Sequence, residues 1–208
     1  MFWYPRPEDL TARDADGVTL TDFLRAYDPR KYELPAVAAD NLIFLREGQS
    51  LKLLLIRRGR HPYYGMLALP GGFIGMQETL EQSAARELME ETGITGVKLT
   101  QLGAYGTPGK DPRMRIISVA YWAVLDGAVD FVAGDDAAEA AFYDITVSCE
   151  EADDTKKYKL RAKNGTSEAI ATVFERGGGR TIAAGDLAAD HALMILDALA
   201  RIGSADNM

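Results

Sequence analysis

The stretch "GFIGMQETLEQSAARELMEETGI", Gly72 to Ile94, gathers glutamate where mutual repulsion should cost stability. From Arg86 to Gly93 it holds Glu87, Glu90 and Glu91, with Arg86 as their only cationic neighbour. Local signals predict a helix: Thr79 and Gln82 have capping-box spacing, and Gly93 stands where a left-handed terminal residue is wanted. At about 100° per residue from Glu87, Glu90 falls near −60° and Glu91 near +40°. Leu80, Ala84, Ala85, Leu88 and Met89 run from about 20° to 200°. The carboxylates therefore cluster at one flank of the apolar stripe, and Glu91 overlaps its edge. Like charges at these spacings cost roughly a few tenths of a kcal/mol each on an exposed helix, and more where solvent is scarce. Two readings follow. One is a solvated acidic face. The other is a divalent-metal site, since clustered carboxylates are hard oxygen ligands for Mg²⁺ or Mn²⁺ and the cation removes the repulsion. Overlap with the apolar stripe favours the second.

Outward from the helix, "LPGGF" supplies a tight turn whose backbone can approach a metal or phosphate closely. Upstream, "PAVAADNLIFL" and "LKLLLIRRG" are apolar runs separated by the turn "REGQS", which predicts an antiparallel pair in a buried sheet. "HPYYG" reads as a loop, and "LALPGGFIG" as a short strand broken by a Pro-Gly-Gly turn. Downstream, "VKLTQLGAYG" and "MRIISVAYWAVL" read as two strands joined by "TPGKDP", and the acidic turn "AGDDAAEA" follows. Beyond Phe142, alternating segments with Asn-Gly and Gly-rich punctuation predict β-hairpins. Gly177 to Gly179 reads as a turn, because it lacks the strand-before, helix-after context of a nucleotide loop. "DLAADHALMILDALARI" is an amphipathic helix by its spacing. "TLTDFLRAYDP" predicts a short one, with Thr21 or Asp22 near its start and Pro29 past its end. The order of strands and helices predicts an α/β class with a mixed sheet.

The composition is that of an ordinary globular protein: 208 residues, 47% hydrophobic and 26% charged. A net charge of −8 argues against a broad nucleic-acid footprint. Cys149 is the only cysteine, which excludes an internal disulfide and a cysteine metal cluster. "MFWYPRPEDL" lacks a basic region followed by an apolar run, so no secretory signal is expected. No apolar stretch approaches the roughly 20 residues that span a bilayer. A cytoplasmic protein without membrane partners is expected.

The segment from Gly72 fits the Nudix box, G-x5-E-x7-R-E-U-x-E-E-x-G-U with U apolar. Gly72, Glu78, Arg86, Glu87, Leu88, Glu90, Glu91, Gly93 and Ile94 fill its specified positions. The chain thus resembles the Nudix hydrolases, which cleave a nucleoside diphosphate linked to another moiety. The resemblance implies an α/β/α sandwich around a mixed β-sheet. It implies that Glu87, Glu90, Glu91 and the Gly72 carbonyl ligate Mg²⁺ or Mn²⁺. Arg86 would orient the acidic cluster, Glu78 would hold the loop against the helix, and Gly93 would end the helix. Glu87 is the first candidate for the base that takes a proton from water. Asp135, Asp136 and Glu139 in the acidic turn are alternatives, or an extra metal ligand, or simply solvated.

"FLRAYDPRKYELPAVAADNLIF", "GTPGKDPRMRIISVAYWA" and "ADHALMIL" look like a subgroup that includes ADP-ribose pyrophosphatases and related repressors of NAD biosynthesis. Pro108, fifteen residues beyond Gly93, fits a weak mark of ADP-ribose specificity. Arg58, Arg113 and Arg115 are candidate contacts to phosphate or ribose, since guanidinium suits bidentate binding of such groups. For Arg113 and Arg115, a salt bridge at a strand edge is the other reading. Leu67 stands where relatives often carry tryptophan. His61 and His191 read as structural, and Tyr63 and Tyr64 as wall-packing or base-stacking groups.

The expected organisation is an N-terminal segment with a short helix (1–34), then a Nudix domain (35–208). That domain would carry a β-rich insertion at about 144–185 and a C-terminal helix at about 186–202. The expected activity is hydrolysis of ADP-ribose to AMP and ribose 5-phosphate, the family resemblance also implying a homodimer. Nucleoside triphosphates, NADH or sugar nucleotides are alternative substrates. A non-catalytic ADP-ribose sensor is the alternative class, but the segment after the box lacks the basic winged helix of the repressors, which argues against DNA.

Overall fold

The computed structural model describes residues 10–127 and 137–205. The chain divides into two units, residues 1–34 and 35–208. In the first, α1 (Leu20–Ala26) begins under Thr19, whose hydroxyl accepts from the Asp22 N–H at 3.1 Å. The cap is therefore Thr19, with Asp22 a turn inside the helix. A 3₁₀ turn, Pro29–Lys31, follows under a second cap, Asp28.

The second unit is built on β1 (Ala36–Glu47) and β2 (Ser50–Arg58), which pair antiparallel. Two short strands, β3 (Leu67–Ala68) and β4 (Gly71–Phe73), lead into α2 (Leu80–Thr92). The chain continues through β5 (Thr100–Tyr105) and β6 (Ile116–Asp126). Then come β7 (Ala137–Ala152), β8 (Thr155–Asn164), β9 (Ser167–Arg176), β10 (Gly179–Gly185) and α3 (His191–Ala205). All the strands share one sheet, ordered β10-β9-β8-β7-β2-β1-β6-β5, with β3 on β2 and β4 on β1. The β1–β6 ladder is parallel and the other pairings are antiparallel, so the sheet is mixed.

Strand β1 reads as a nearly continuous apolar run because both of its faces are covered. Leu42 and Phe44 pack with Leu193, Met194 and Ile195 of α3. The alternate residues face α2: Ile43 shares a cluster with Leu88, and Ala39 with Ala84. A helix on each face of the sheet makes the expected α/β/α sandwich. Burying Leu88 contributes about 1.5–3 kcal/mol to this attachment. The predicted capping box of α2 is formed by Thr79 and Gln82, and Gly93 ends the helix at φ +71°.

Residues 144–185 do not form a separate module. Strand β7 pairs with β2 from Ala137 to Asp144 and with β8 from Asp144 to Ala152, so one strand carries the central sheet into the extension. The extension then curls back over α3: Leu160, Ala171 and Val173 belong to the same apolar cluster as Leu42, Phe44 and Met194. Strands from the two ends of the sheet meet on one side chain, as Asp197 accepts from Tyr105 Oη at 2.8 Å and from Arg180 Nη2 at 2.7 Å. Helix α3 starts five residues later than its sequence pattern suggests. Asp186 to Ala188 run extended beside β3, bonded by Leu67 N–H to Asp186 C=O and Ala188 N–H to Leu67 C=O.

Candidate active site

The site grows from the junction of β1, the Pro70–Gly71–Gly72 turn and α2. Asn41 of β1 is fully buried; its N–H donates to Pro70 C=O at 2.8 Å, and its Nδ2 donates to Ala84 C=O at 2.9 Å. This side chain ties strand, turn and helix together. The turn needs both glycines. A Cβ on Gly71 would lie 2.4 Å from Ala39 C=O and 2.7 Å from Asp40 Oδ1, and one on Gly72 would lie 2.5 Å from Glu87 Oε2. The backbone therefore runs directly against carboxylates on both sides.

Arg86 organises the acidic face of α2. Its Nε donates to Glu78 Oε1 at 2.8 Å and its Nη1 to Glu87 Oε1 at 2.6 Å. It also reaches Glu90 Oε2 at 3.1 Å and Phe73 C=O at 3.1 Å. Glu78 in turn accepts from Ser83 Oγ at 2.7 Å and from Gly75 N–H at 3.1 Å, which holds the loop against the helix. The Arg86 guanidinium, then these donors, hold the Glu78 carboxyl down at about 2. Glu91 turns the other way and accepts the Gly71 N–H at 2.8 Å. Burial pushes the Glu91 carboxyl up to about 7, and burial also raises Glu87. With Glu87 and Glu90 turned to Arg86 and Glu91 to Gly71, no three acidic or histidine side chains form a ready-made cage among the described residues.

These shifts set a pH dependence. Glu91 titrates higher in the folded protein than the ordinary 4.5, so it opposes folding increasingly as pH rises from 4.5 to about 7. Buried His191 acts in the opposite sense: burial lowers its pKa, so stability rises as pH climbs toward the ordinary 6.5. Comparing wild type with Glu91→Gln isolates the first effect. In metal-free protein, the melting temperature of Glu91→Gln should gain on the wild type between pH 4.5 and 8, as calorimetry would read. A constant difference would refute the assigned burial penalty.

A cavity of about 440 Å³ opens beside this junction. Asp40, Glu87 and Glu91 line it together with Arg58, Arg60, Lys110 and Arg113, so it carries both signs of charge. Arg58 is held by Pro62 C=O at 2.8 Å. Arg113 is clamped by Asp111 at 3.0 and 2.9 Å, and its guanidinium stands 5.4 Å from the centre of the Phe73 ring. Tyr63 also lines the cavity, and its hydroxyl donates to Lys110 C=O.

Other expected residues lie elsewhere. Arg115 does not line the cavity and donates to Ile116 C=O at 3.4 Å. Glu139 is paired across the ladder with Arg57, at 3.4 Å, and sits outside the cavity lining. Since Arg57 and Arg58 are adjacent on β2, they point to opposite faces, which puts Glu139 on the face away from Arg58. Asp135 and Asp136 lie outside the described residues. Glu90, half exposed, stands outside the cavity lining beside Arg86.

Sequence reasoning missed a buried polar layer under the turn. Lys110, 8% exposed, donates to Asp190 Oδ1 at 3.0 Å, Ser118 Oγ at 2.7 Å and Tyr105 C=O at 3.2 Å. His191 Nδ1 accepts the Leu69 N–H at 3.0 Å. Asp40 interrupts an otherwise apolar strand, and a charged residue inside such a run was the available signal.

The geometry can be set beside known proteins. The family model described as NUDIX domain matches residues 34–166. An ADP-ribose pyrophosphatase of Methanocaldococcus jannaschii is 39% identical over 148 residues, covering 68% of this chain and 85% of that one. A MutT/nudix family protein from Enterococcus faecalis superposes with a TM-score of 0.72 at 27% identity, covering 98% of this chain and 76% of that one. The NUDIX domain of Shewanella oneidensis NrtR complexed with ADP ribose superposes with a TM-score of 0.55 at 30% identity, covering 60% and 82%.

Proposed function

The chain belongs to the Nudix hydrolase family, and on that premise we propose that it cleaves ADP-ribose to AMP and ribose 5-phosphate with the aid of Mg²⁺ or Mn²⁺. The observation that carries this reading is the Gly72–Glu87–Arg86–Glu78 assembly, of which Gly72 and Glu87 line a cavity of mixed charge. The resemblance to an ADP-ribose pyrophosphatase and to an ADP-ribose-bound domain supports ADP-ribose among the nucleotide substrates.

The residues present fit a divalent cation. The donors are hard oxygens, and the Gly72 backbone lies so close to the Glu87 carboxylate that a Cβ there would meet it at 2.5 Å. Glu87, Glu90, Glu91 and the Gly72 carbonyl would hold the ion. When bound, it supplies charge neutralisation for the diphosphate and acidifies water. The protein does the rest. Arg86 and Glu78 fix the acidic face in one orientation. Arg58 and Arg113, which both line the cavity, would hold phosphate oxygens. A Glu87 oxygen takes the proton from the attacking water, being at the cavity wall where Glu139 is not.

A non-catalytic ADP-ribose sensor is the second reading, favoured by the likeness to the NrtR domain. The complete acidic set argues for turnover, because a sensor needs no such cluster. Incubation of ADP-ribose, NADH, sugar nucleotides and nucleoside triphosphates with Mg²⁺ or Mn²⁺ discriminates the readings. AMP and ribose 5-phosphate are the expected products, with ADP-ribose turned over most efficiently. Binding without turnover of any substrate would replace the enzyme by the sensor. A homodimer is a further expectation, readable by light scattering.

A further inference from the structure

Asp40 and His191 both line the cavity and lie next to each other there. Each is more than nine-tenths buried, at 6% and 7% exposed. His191 Nε2 stands 4.0 Å from Asp40 Oδ1, too far for a direct hydrogen bond and suited to one intervening oxygen. Asp40 Oδ2 has no hydrogen-bond partner among the described residues. The tautomer is fixed by the fold: His191 Nδ1 accepts from the Leu69 N–H, so the neutral ring carries its proton on Nε2. Burial keeps the ring neutral by lowering its pKa.

This arrangement selects one kind of ligand. A metal ion is excluded at Nε2, because a protonated ring nitrogen has no lone pair to give. An anion between these two groups would lie against the Asp40 carboxylate itself, which repels it. An apolar group would leave a buried carboxylate oxygen and a buried N–H unpaired. What remains is a group that both accepts and donates. We propose that Asp40 and His191 form a hydroxyl-binding subsite, in which a sugar hydroxyl of the substrate accepts from His191 Nε2–H and donates to the Asp40 carboxylate.

The position places the subsite next to the diphosphate. Gly71 separates the subsite from the proposed cation ligands: its N–H donates to Glu91 at 2.8 Å, and a Cβ on it would lie 2.7 Å from Asp40 Oδ1. A hydroxyl bound there belongs to one of the two riboses of ADP-ribose, both of which are joined directly to the diphosphate, and analogues lacking single hydroxyls tell the two apart. Where it is the ribose that carries no adenine, the subsite separates sugar-linked diphosphates from triphosphates, whose terminal phosphate carries no sugar. This inference rests on the ADP-ribose reading.

The test compares ADP-ribose with analogues lacking one ribose hydroxyl each. It uses calorimetric Kd on metal-free protein and kcat/KM with Mg²⁺, for wild type, His191→Asn and Asp40→Leu. His191→Asn keeps an acceptor near Nδ1 for Leu69 and has nothing at the Nε2 position. For the wild type, one analogue should bind at least about tenfold more weakly than ADP-ribose. The variants should bind ADP-ribose about tenfold more weakly and treat that analogue and ADP-ribose alike. Wild-type protein that binds every analogue within about twofold of ADP-ribose holds only a water there, and the proposal falls whether or not the variants fold. Variants that weaken all ligands by one factor, leaving wild-type discrimination, also overturn it. Calorimetric discrimination without turnover of ADP-ribose would remove the pyrophosphatase reading and leave the subsite standing.

Discussion

Glu91→Gln is expected to lower turnover about 10²-fold or more while making the metal-free protein more stable at pH 8. The two effects have one cause. The Glu91 carboxyl is desolvated enough to titrate near 7, and its one backbone donor, Gly71 N–H, does not offset that burial. A charge held at such a cost is useful when a cation shares the space. Glutamine keeps the shape and can keep the Gly71 hydrogen bond, but it contributes no charge to a divalent ion. Losing about 3 kcal/mol of transition-state stabilisation corresponds to roughly 10²-fold in rate. Glu90→Gln should also lose turnover by orders of magnitude, without the gain in stability, because Glu90 is half exposed. Steady-state rates with Mg²⁺, Mn²⁺ affinity by electron paramagnetic resonance and melting curves read the three quantities. A Glu91→Gln variant with wild-type rates would end the metal reading of the acidic helix.

The second large effect is on stability. Lys110→Met should destabilise the protein by about 3–5 kcal/mol, since it leaves the Asp190 carboxylate buried without its cation. Asp190 is 1% exposed and one of its oxygens already lacks a partner among the described residues, so the loss cannot be relieved by hydration without opening the fold. For a chain of this size the melting temperature should fall on the order of 10 °C. The double variant Lys110→Met/Asp190→Leu should recover most of that loss, because removing both members of a buried pair is often nearly neutral. Recovery of stability need not restore function. Lys110 C=O receives the Tyr63 hydroxyl, and the next residue, Asp111, clamps Arg113 at the cavity. The double variant should therefore melt near the wild type yet show a raised KM. A double variant as unstable as Lys110→Met would refute the pairing argument.

Much of the site was legible because its signals are local. Thr79, Gln82 and Gly93 bound α2 by capping chemistry that acts within one turn, and the offsets among Glu87, Glu90 and Glu91 place them on one flank whatever surrounds the helix. The antiparallel β1–β2 pair was legible for the same reason, as two apolar runs around a tight turn. What escaped depends on distant partners. Lys110 and Asp190 lie eighty residues apart in sequence, and no periodicity links them. His191 read as a structural histidine because nothing beside it in sequence indicates that Asp40 would face it. Arg115 and Arg113 have the same chemistry, and only the path of the loop sends one to the cavity and the other to Ile116 C=O. The strands beyond Asp144 were legible as strands, but not as members of the central sheet, because ladder partners are chosen in three dimensions.

The meeting of both ends of the sheet on Asp197 has a consequence for evolution and engineering. Helix α3 is gripped like a rod in a clamp, one jaw supplied by β5 through Tyr105 and the other by β10 through Arg180. The hairpins between 144 and 185 carry none of the residues proposed for catalysis, yet they form that second jaw. Shortening them would let the rod swing, and its first turn carries His191, with Asp190 just ahead of it. Changes in a remote β-ribbon would then be felt as changes in which molecules the cavity accepts.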